Sequence, residues 1–232
     1  MFFIGPPFGN YITLPYCKSV IGSYTVEERT GLLIQIAKTL RYDFALNGWV
    51  NKIGLRNRGI DYGVKHYNHS TDILSLAILK ETDVDIFLHK IPKKNNIEIN
   101  ISCPNINRQL INQNLQGFLN SEREWCILKC GPHIKKEELH TYYELGFKQF
   151  HFCNTLPVPN GGLSGKALIP YTQNLSKHMK TSYDDVTIIS GGGINAWKDV
   201  ENYNYGDHHA ISTVFFNPIK FAVLYFKYVF QQ

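Results

Sequence analysis

Five cysteines in 232 residues, at positions 17, 103, 126, 130 and 153, are too few and too scattered for a disulfide framework. No two of them have the CxxC spacing of a zinc or iron–sulfur site. An odd number of separated thiols reads as reduced cysteine, the cytosolic default. Long apolar runs are missing too: none reaches the length of a transmembrane helix. Met1-Phe2-Phe3-Ile4 meets Gly-Pro-Pro at once, which is too short for the apolar region of a signal peptide. These absences predict a cytoplasmic chain that makes no use of a membrane. The formal net charge is +5, but no extended Lys/Arg run carries it, so an anionic small ligand suits the chain better than nucleic acid. No pair of carboxylates stands out and no histidine cluster has metal-ligand spacing. Hydrolysis by paired carboxylates and metal catalysis therefore lack their residues, and no metal is expected.

What the chain does have is rhythm. Hydrophobic residues make up 44% of it, enough for a sizeable core. Val20–Thr25 reads as a strand, 31–41 as a helix from the spacing of Leu32, Leu33, Ile36, Ala37 and Leu40, 48–59 as a glycine-studded loop and 60–67 as a short helix. Strand Ile73–Ile78 then precedes a helix at 80–89, and strand 97–101 a helix at about 108–119. Strand Cys126–Lys129 precedes helix 135–145. Strand Gln149–Cys153 leads through a Gly/Pro loop to helix 170–180. Strand Val186–Ser190 precedes helix 195–203, and strand His209–Thr213 precedes the closing helix Pro218–Phe230. That makes seven strands from Val20 onward, and one more in the N-terminal segment makes eight. Alternation without a break in composition predicts α/β architecture in a single domain, 1–232: a (β/α)8 TIM barrel. Its first βα unit is shortened or irregular, because no crossover helix fits between Phe8 and Val20. A doubly wound open sheet is the alternative. The lack of a GxGxxG after an early strand counts against it.

In a barrel, the C-terminal ends of the strands carry the site. Ile97-Glu98-Ile99-Asn100-Ile101-Ser102-Cys103-Pro104-Asn105 is a β-branched strand halted by proline, so amides, a hydroxyl and a thiol gather at its end. Lys129 lies inside Cys126-Ile-Leu-Lys-Cys130, where burial demands an anionic or acceptor partner. It shares the face of Ile127, the one that could point into a barrel; an edge-strand lysine reaching water is the other reading. Ile188-Ile189-Ser190-Gly191-Gly192-Gly193 runs into glycines and then a helix, and Ser212-Thr213 ends the following strand. Loops after strands seven and eight commonly hold phosphate. Asn154-Thr155 and the Gly/Ser loop Gly161–Lys166 complete the set. Several asparagines facing one pocket suit a flat heterocycle with alternating C=O and N–H groups.

In this order the stretches resemble the dihydroorotate dehydrogenases. Gly22-Ser-Tyr-Thr25, Asn51-Lys-Ile-Gly-Leu55 with Asn57 and Gly59, Asn100-Ile-Ser-Cys-Pro-Asn105, Lys129, Asn154-Thr155, Gly161-Gly-Leu-Ser-Gly165, Gly191–Gly193 and Ser212-Thr213 each look like a family motif. Together they span Gly22 to about Pro218. The resemblance implies FMN-dependent interconversion of dihydroorotate and orotate in pyrimidine biosynthesis, with Cys103 as the acid/base. It implies substrate contacts from Asn51, Gly54, Leu55, Asn100, Asn105, Asn154 and Thr155. For FMN it implies Ser23, Asn100, Lys129, Cys153, Ser164, Gly165, Gly192, Gly193, Ser212 and Thr213. Cysteine as the base resembles the soluble class 1 enzymes. A free thiol has a pKa of about 8.5, so such a base needs a shifted pKa or alkaline conditions. A homodimer is compatible with the family, and the electron acceptor is not set by the chain. The family's first unit has no clear counterpart in Phe2–Lys18, and Ala77 stands near where an asparagine would contact flavin. Two rival readings remain: a reductase resembling the tRNA dihydrouridine synthases, and a degenerate barrel that binds a flavin or pyrimidine without turnover.

Overall fold

The computed structural model describes residues 1–101 and 114–232. In chain order the elements are β1 (Phe2–Ile4), a 3-10 turn (Phe8–Asn10), β2 (Cys17–Tyr24), α1 (Leu32–Thr39), β3 (Arg41–Asp43), β4 (Gly48–Asn51), α2 (Gly59–His66), β5 (Asp72–Ala77), α3 (Thr82–Lys90) and β6 (Ile97–Asn100). A 3-10 turn at Leu115–Phe118 leads to β7 (Cys126–Cys130), α4 (Lys136–Glu144), β8 (Gln149–Phe152), β9 (Leu156–Val158) and β10 (Gly161–Gly165). The turn Lys166–Leu168 opens into α5 (Ile169–Ser182), followed by β11 (Thr187–Gly191), α6 (Trp197–Glu201), β12 (His208–Ile211), a 3-10 turn (Thr213–Phe216) and α7 (Pro218–Val229).

The expected barrel forms. Eight strands close in the order β1-β12-β11-β8-β7-β6-β5-β2, and every pairing is parallel. Period-2 alternation sorts their side chains into two layers. One set, including Leu74, Leu76 and Leu128, packs against Val84 and Phe87 of α3, Leu139 and Tyr142 of α4, and Leu175 and Met179 of α5. The other set faces inward, where Phe3, Val20, Ile73, Ile127, Ile189 and Ala210, with Trp125, form a buried apolar plug. Burying each large apolar side chain of this kind contributes about 1.5–3 kcal/mol. Lys129 follows Ile127 on the inner face, which decides between the two readings its alternation left open.

The irregular first unit is also present. β1 pairs with both β2 and β12 and so closes the barrel, and the turn Phe8–Asn10 stands where a crossover helix would be. A side chain at Gly9 would come within 2.3 Å of the Val20 carbonyl oxygen and 2.6 Å of that of Ile4, so only glycine lets the chain cross the strands this closely. Two segments read as loops are instead strands. β4 lies within 48–59, and β9 and β10 lie within the Gly/Pro stretch, in a four-stranded antiparallel sheet of order β3-β4-β10-β9. Gly48, Gly161, Gly162 and Gly165 break the local pattern. What makes these residues strands is pairing across more than a hundred positions, Asn51 with Gly162 and Gly48 with Gly165. α6 is shorter than 195–203, because the Asn195 and Ala196 amides donate to Asp199 Oδ2 (2.8 and 3.0 Å) and start the helix later. Most of the helix expected at 108–119 lies outside the described residues. Its described end, Leu115–Phe118, is a 3-10 turn.

Candidate active site

The strand ends and the side sheet enclose a cavity of about 850 Å³. Barrel strands and the segments that follow them supply Ser23, Asn100, Lys129, Asn154, Thr155, Ser212 and Thr213 to its lining, while β4, β10 and the loop after β4 supply Asn51, Gly54, Leu55 and Ser164. A smaller lobe of about 90 Å³ shares Lys129, Asn154, Thr155, Ser164, Ser212 and Thr213, and adds Cys153, Gly165, Gly192 and Gly193. Every described residue to which the resemblance gives a substrate or FMN contact therefore lines one of the two lobes. Cys103 and Asn105 lie outside the described residues. His208 begins β12, at the opposite end of the strand from the cavity, and its Nδ1 meets the Met1 amino group at 3.1 Å.

Hydrogen bonds fix several of these groups. Asn154 Nδ2 donates to Asn100 Oδ1 (3.2 Å), so the amides at the ends of β6 and β8 orient one another. Asn154 Oδ1 accepts from the Thr155 amide at 2.9 Å. In the loop after β4, Asn57 Oδ1 accepts from the amides of Thr25 (3.2 Å) and Gly59 (2.8 Å), and its Nδ2 donates to the Leu55 carbonyl at 2.8 Å. Gly54 and Leu55 both have positive φ, 69° and 55°, a bend that this clamp stabilises. Asn57→Ala removes several bonds at once. We expect a loss of about 1–3 kcal/mol in urea unfolding.

The glycine lobe is shaped in the same way. Gly192 and Gly193 have φ of 95° and 77°. A side chain at Gly192 would lie 2.6 Å from Leu168 Cβ, and one at Gly193 would lie 2.7 Å from Lys166 Cα. Tyr203 Oη donates to the Gly192 carbonyl (2.5 Å), and Thr172 Oγ1 donates to that of Gly191 (2.8 Å). Burial pushes the Cys153 thiol up to about 11, so it lines the lobe as a neutral group.

Beneath Lys129 lies a polar network that was not anticipated from the sequence. Glu98 is wholly buried, and its Oε1 stands 3.5 Å from Lys129 Nζ. Ser75 Oγ donates to the same oxygen at 2.9 Å, and Ser23 Oγ lies 2.7 Å from Ser75 Oγ. Glu98 Oε2 meets His151 Nδ1 at 2.6 Å. Burial favours the protonated carboxyl, but Lys129 and His151 outweigh it and hold Glu98 ionised, below the usual carboxylate range. Burial dominates at His151 and keeps the ring neutral. The proton between them therefore sits on Nδ1, which donates to the carboxylate.

Other lining residues went unnoticed in the sequence. Pro6, Pro7 and Phe8, just after β1, line the larger lobe, so the first unit does contribute to the site. Trp49 stacks on Phe216 with ring centroids 4.2 Å apart and forms part of the wall. Leu32 and Ile36 of α1, with Leu40 just past its end, turn toward the cavity. Their helical spacing was visible, but nothing local indicated which way they would turn. Among the described residues no cluster of His, Cys, Asp and Glu could hold a metal, and no helix is long and apolar enough to cross a membrane.

No family model matches the chain. It is 26% identical over 212 residues to the catalytic subunit of dihydroorotate dehydrogenase B (NAD(+)) of Petrotoga mobilis, covering 77% of this chain and 69% of that one. To the subunit of the same name from Bacteroides fragilis it is 25% identical, covering 71% of this chain and 65% of that one. The match thus spans about two thirds of each relative. Among solved structures, the dihydroorotate dehydrogenase of Eimeria tenella in complex with ferulenol superposes with a TM-score of 0.72 at 16% identity, covering 96% of this chain and 78% of that one. That likeness is one of fold.

Proposed function

We propose that the chain belongs with the dihydroorotate dehydrogenases, whose catalytic subunits it resembles at 25–26% identity, and that it interconverts dihydroorotate and orotate, in pyrimidine biosynthesis, with FMN as its redox cofactor. The observation that carries this reading is the meeting of three amides (Asn51, Asn100, Asn154) and one buried cation (Lys129) on a single cavity.

The donor set fits FMN. The smaller lobe offers the Gly192-Gly193 backbone and the Ser212 and Thr213 hydroxyls, and none of its lining residues is acidic, which suits a phosphate. The larger lobe has room for a planar ring system, and Lys129 supplies a positive charge beside it. Ser23, Asn100, Lys129, Cys153, Ser164, Gly165, Gly192, Gly193, Ser212 and Thr213 would hold the cofactor. When bound, FMN supplies the hydride acceptor, taking hydride from C6 of dihydroorotate. Asn51, Asn100, Asn105 and Asn154, with Thr155, Gly54 and Leu55, would bind the pyrimidine. Each amide can both donate and accept, which matches alternating C=O and N–H groups. Cys103 takes the C5 proton as a thiolate and returns it in the reverse direction.

In this reading residues 1–232 act as one cytoplasmic FMN domain. The relatives are named as NAD(+)-linked catalytic subunits, which supports a separate electron-transfer partner as the route to the acceptor. The test is the visible spectrum of the purified protein, before and after anaerobic addition of dihydroorotate. A flavin band that bleaches is expected. A band that persists points to another heterocycle, with NADPH and tRNA as the next trial. A colourless protein that takes up no added FMN overturns the cofactor and the reaction together.

A further inference from the structure

Glu98 lies below the strand ends, outside every residue set assigned above, yet it is the anion closest to the one buried cation of the cavity. It sits on β6 beside Ser75 of β5, and Lys129 of β7 sits beside His151 of β8 in the barrel register. Both carboxylate oxygens are occupied, Oε1 by Ser75 and Lys129 and Oε2 by His151. A carboxylate held by a hydroxyl, an ammonium and an imidazole has no freedom to swing, and a lysine stem tethered to it has little. We propose that Glu98 is a positioning residue for the flavin site: pinned by Ser75 and His151, it holds the Lys129 ammonium at the cavity floor, where it meets the cofactor. This rests on the reading that the cavity takes FMN.

The physical case is one of desolvation. Lys129 and Glu98 are both nearly or wholly buried, at 8% and 0% exposure. A lone ammonium there would lose its hydration with nothing in return. The titratable groups facing it are Glu98 from β6 and His151 and Cys153 from β8, while β2 and β5 present the uncharged Ser23 and Ser75. Glu98, 3.5 Å away, is therefore the anion that balances Lys129. The pair leaves the floor of the cavity near electrical neutrality while aiming a localised positive charge upward. Removing the anion would leave the cation in place without its anchor.

A double-mutant cycle on FMN affinity, read by quenching of flavin fluorescence with no turnover involved, isolates this coupling. Glu98→Gln keeps the side-chain shape and is expected to weaken FMN binding by at least about tenfold on the wild-type background. On a Lys129→Met background the same change is expected to bring no further loss, because the group it acts through is gone. An equal loss in both backgrounds, or no loss in the single variant, overturns the proposal. Should Glu98→Gln fail to fold, Glu98→Asp serves, since it keeps the charge but withdraws it by one methylene; it must weaken binding only when Lys129 is present. Failure of the underlying reading looks different: the wild-type protein itself then binds no FMN.

Discussion

Replacing Cys103 by alanine abolishes the bleaching of bound flavin by dihydroorotate and leaves the FMN content of the protein unchanged. The size of the effect follows from the chemistry. In the proposed reaction dihydroorotate would lose its C5 proton to Cys103 and a hydride from C6 to FMN, and a positioned base contributes about 10²–10⁴-fold to such a proton transfer. Alanine removes the base without disturbing the glycine lobe or Lys129, so the cofactor stays. Cys103→Ser retains a slow reaction, because a hydroxyl can still accept the proton but ionises far less readily than a thiol. In the wild type the rate of flavin reduction rises with pH until the thiolate is fully formed. Stopped-flow anaerobic reduction, monitored by flavin absorbance, measures all three. Full activity in Cys103→Ala would remove Cys103 from the role of base.

Lys129→Met produces the largest loss of stability, about 3–5 kcal/mol at neutral pH, because it strands the buried Glu98 carboxylate without its cation. The pH dependence carries a definite sign. In the wild type Glu98 is held below its unfolded value. Its contribution is present above the unfolded carboxylate range, about 4.3, and is lost as the pH falls through the lower folded value. Without Lys129 the balance at Glu98 tips toward burial, which favours the protonated acid. The variant therefore recovers part of its deficit as the solution is acidified, while the wild type does not. Urea unfolding of both proteins at neutral pH and at about pH 5 reveals a gap that narrows in acid. A constant gap would mean that Lys129 stabilises through its stem rather than its charge. The double variant Glu98→Gln/Lys129→Met, with neither charge, is more stable than Lys129→Met alone.

Both predictions concern residues whose importance was legible in different degrees. Cys103 stands in a run of residues that resembles a dihydroorotate dehydrogenase motif, and only that resemblance implied a base there. Lys129 was conspicuous as a charge inside an apolar strand that needed a partner. The partner was not legible. Glu98 stood in the sequence only as one of the polar residues alternating with Ile97, Ile99 and Ile101, and His151 only as a residue of the strand Gln149–Cys153. They meet because β6, β7 and β8 lie side by side in the barrel, where register sets Glu98 beside Ile127 and Lys129 beside His151. The cavity wall was hidden for a similar reason. Trp49 and Phe216 are far apart in the chain, and their stacking depends on where β4 and the turn after β12 come to rest.

Local chemistry along the chain sufficed for the barrel and for the roll of strand-end groups around the cavity, and it narrowed Lys129 to two readings, inward or at an edge. All of these follow from period-2 and period-3.6 patterning and from where proline and glycine stop an element. The side sheet, the part played by the first unit and the Ser23–Ser75–Glu98–His151 network came from folding alone. Each depends on pairings between distant residues, and the free energy of those pairings appears only once the barrel has closed and excluded water from its interior.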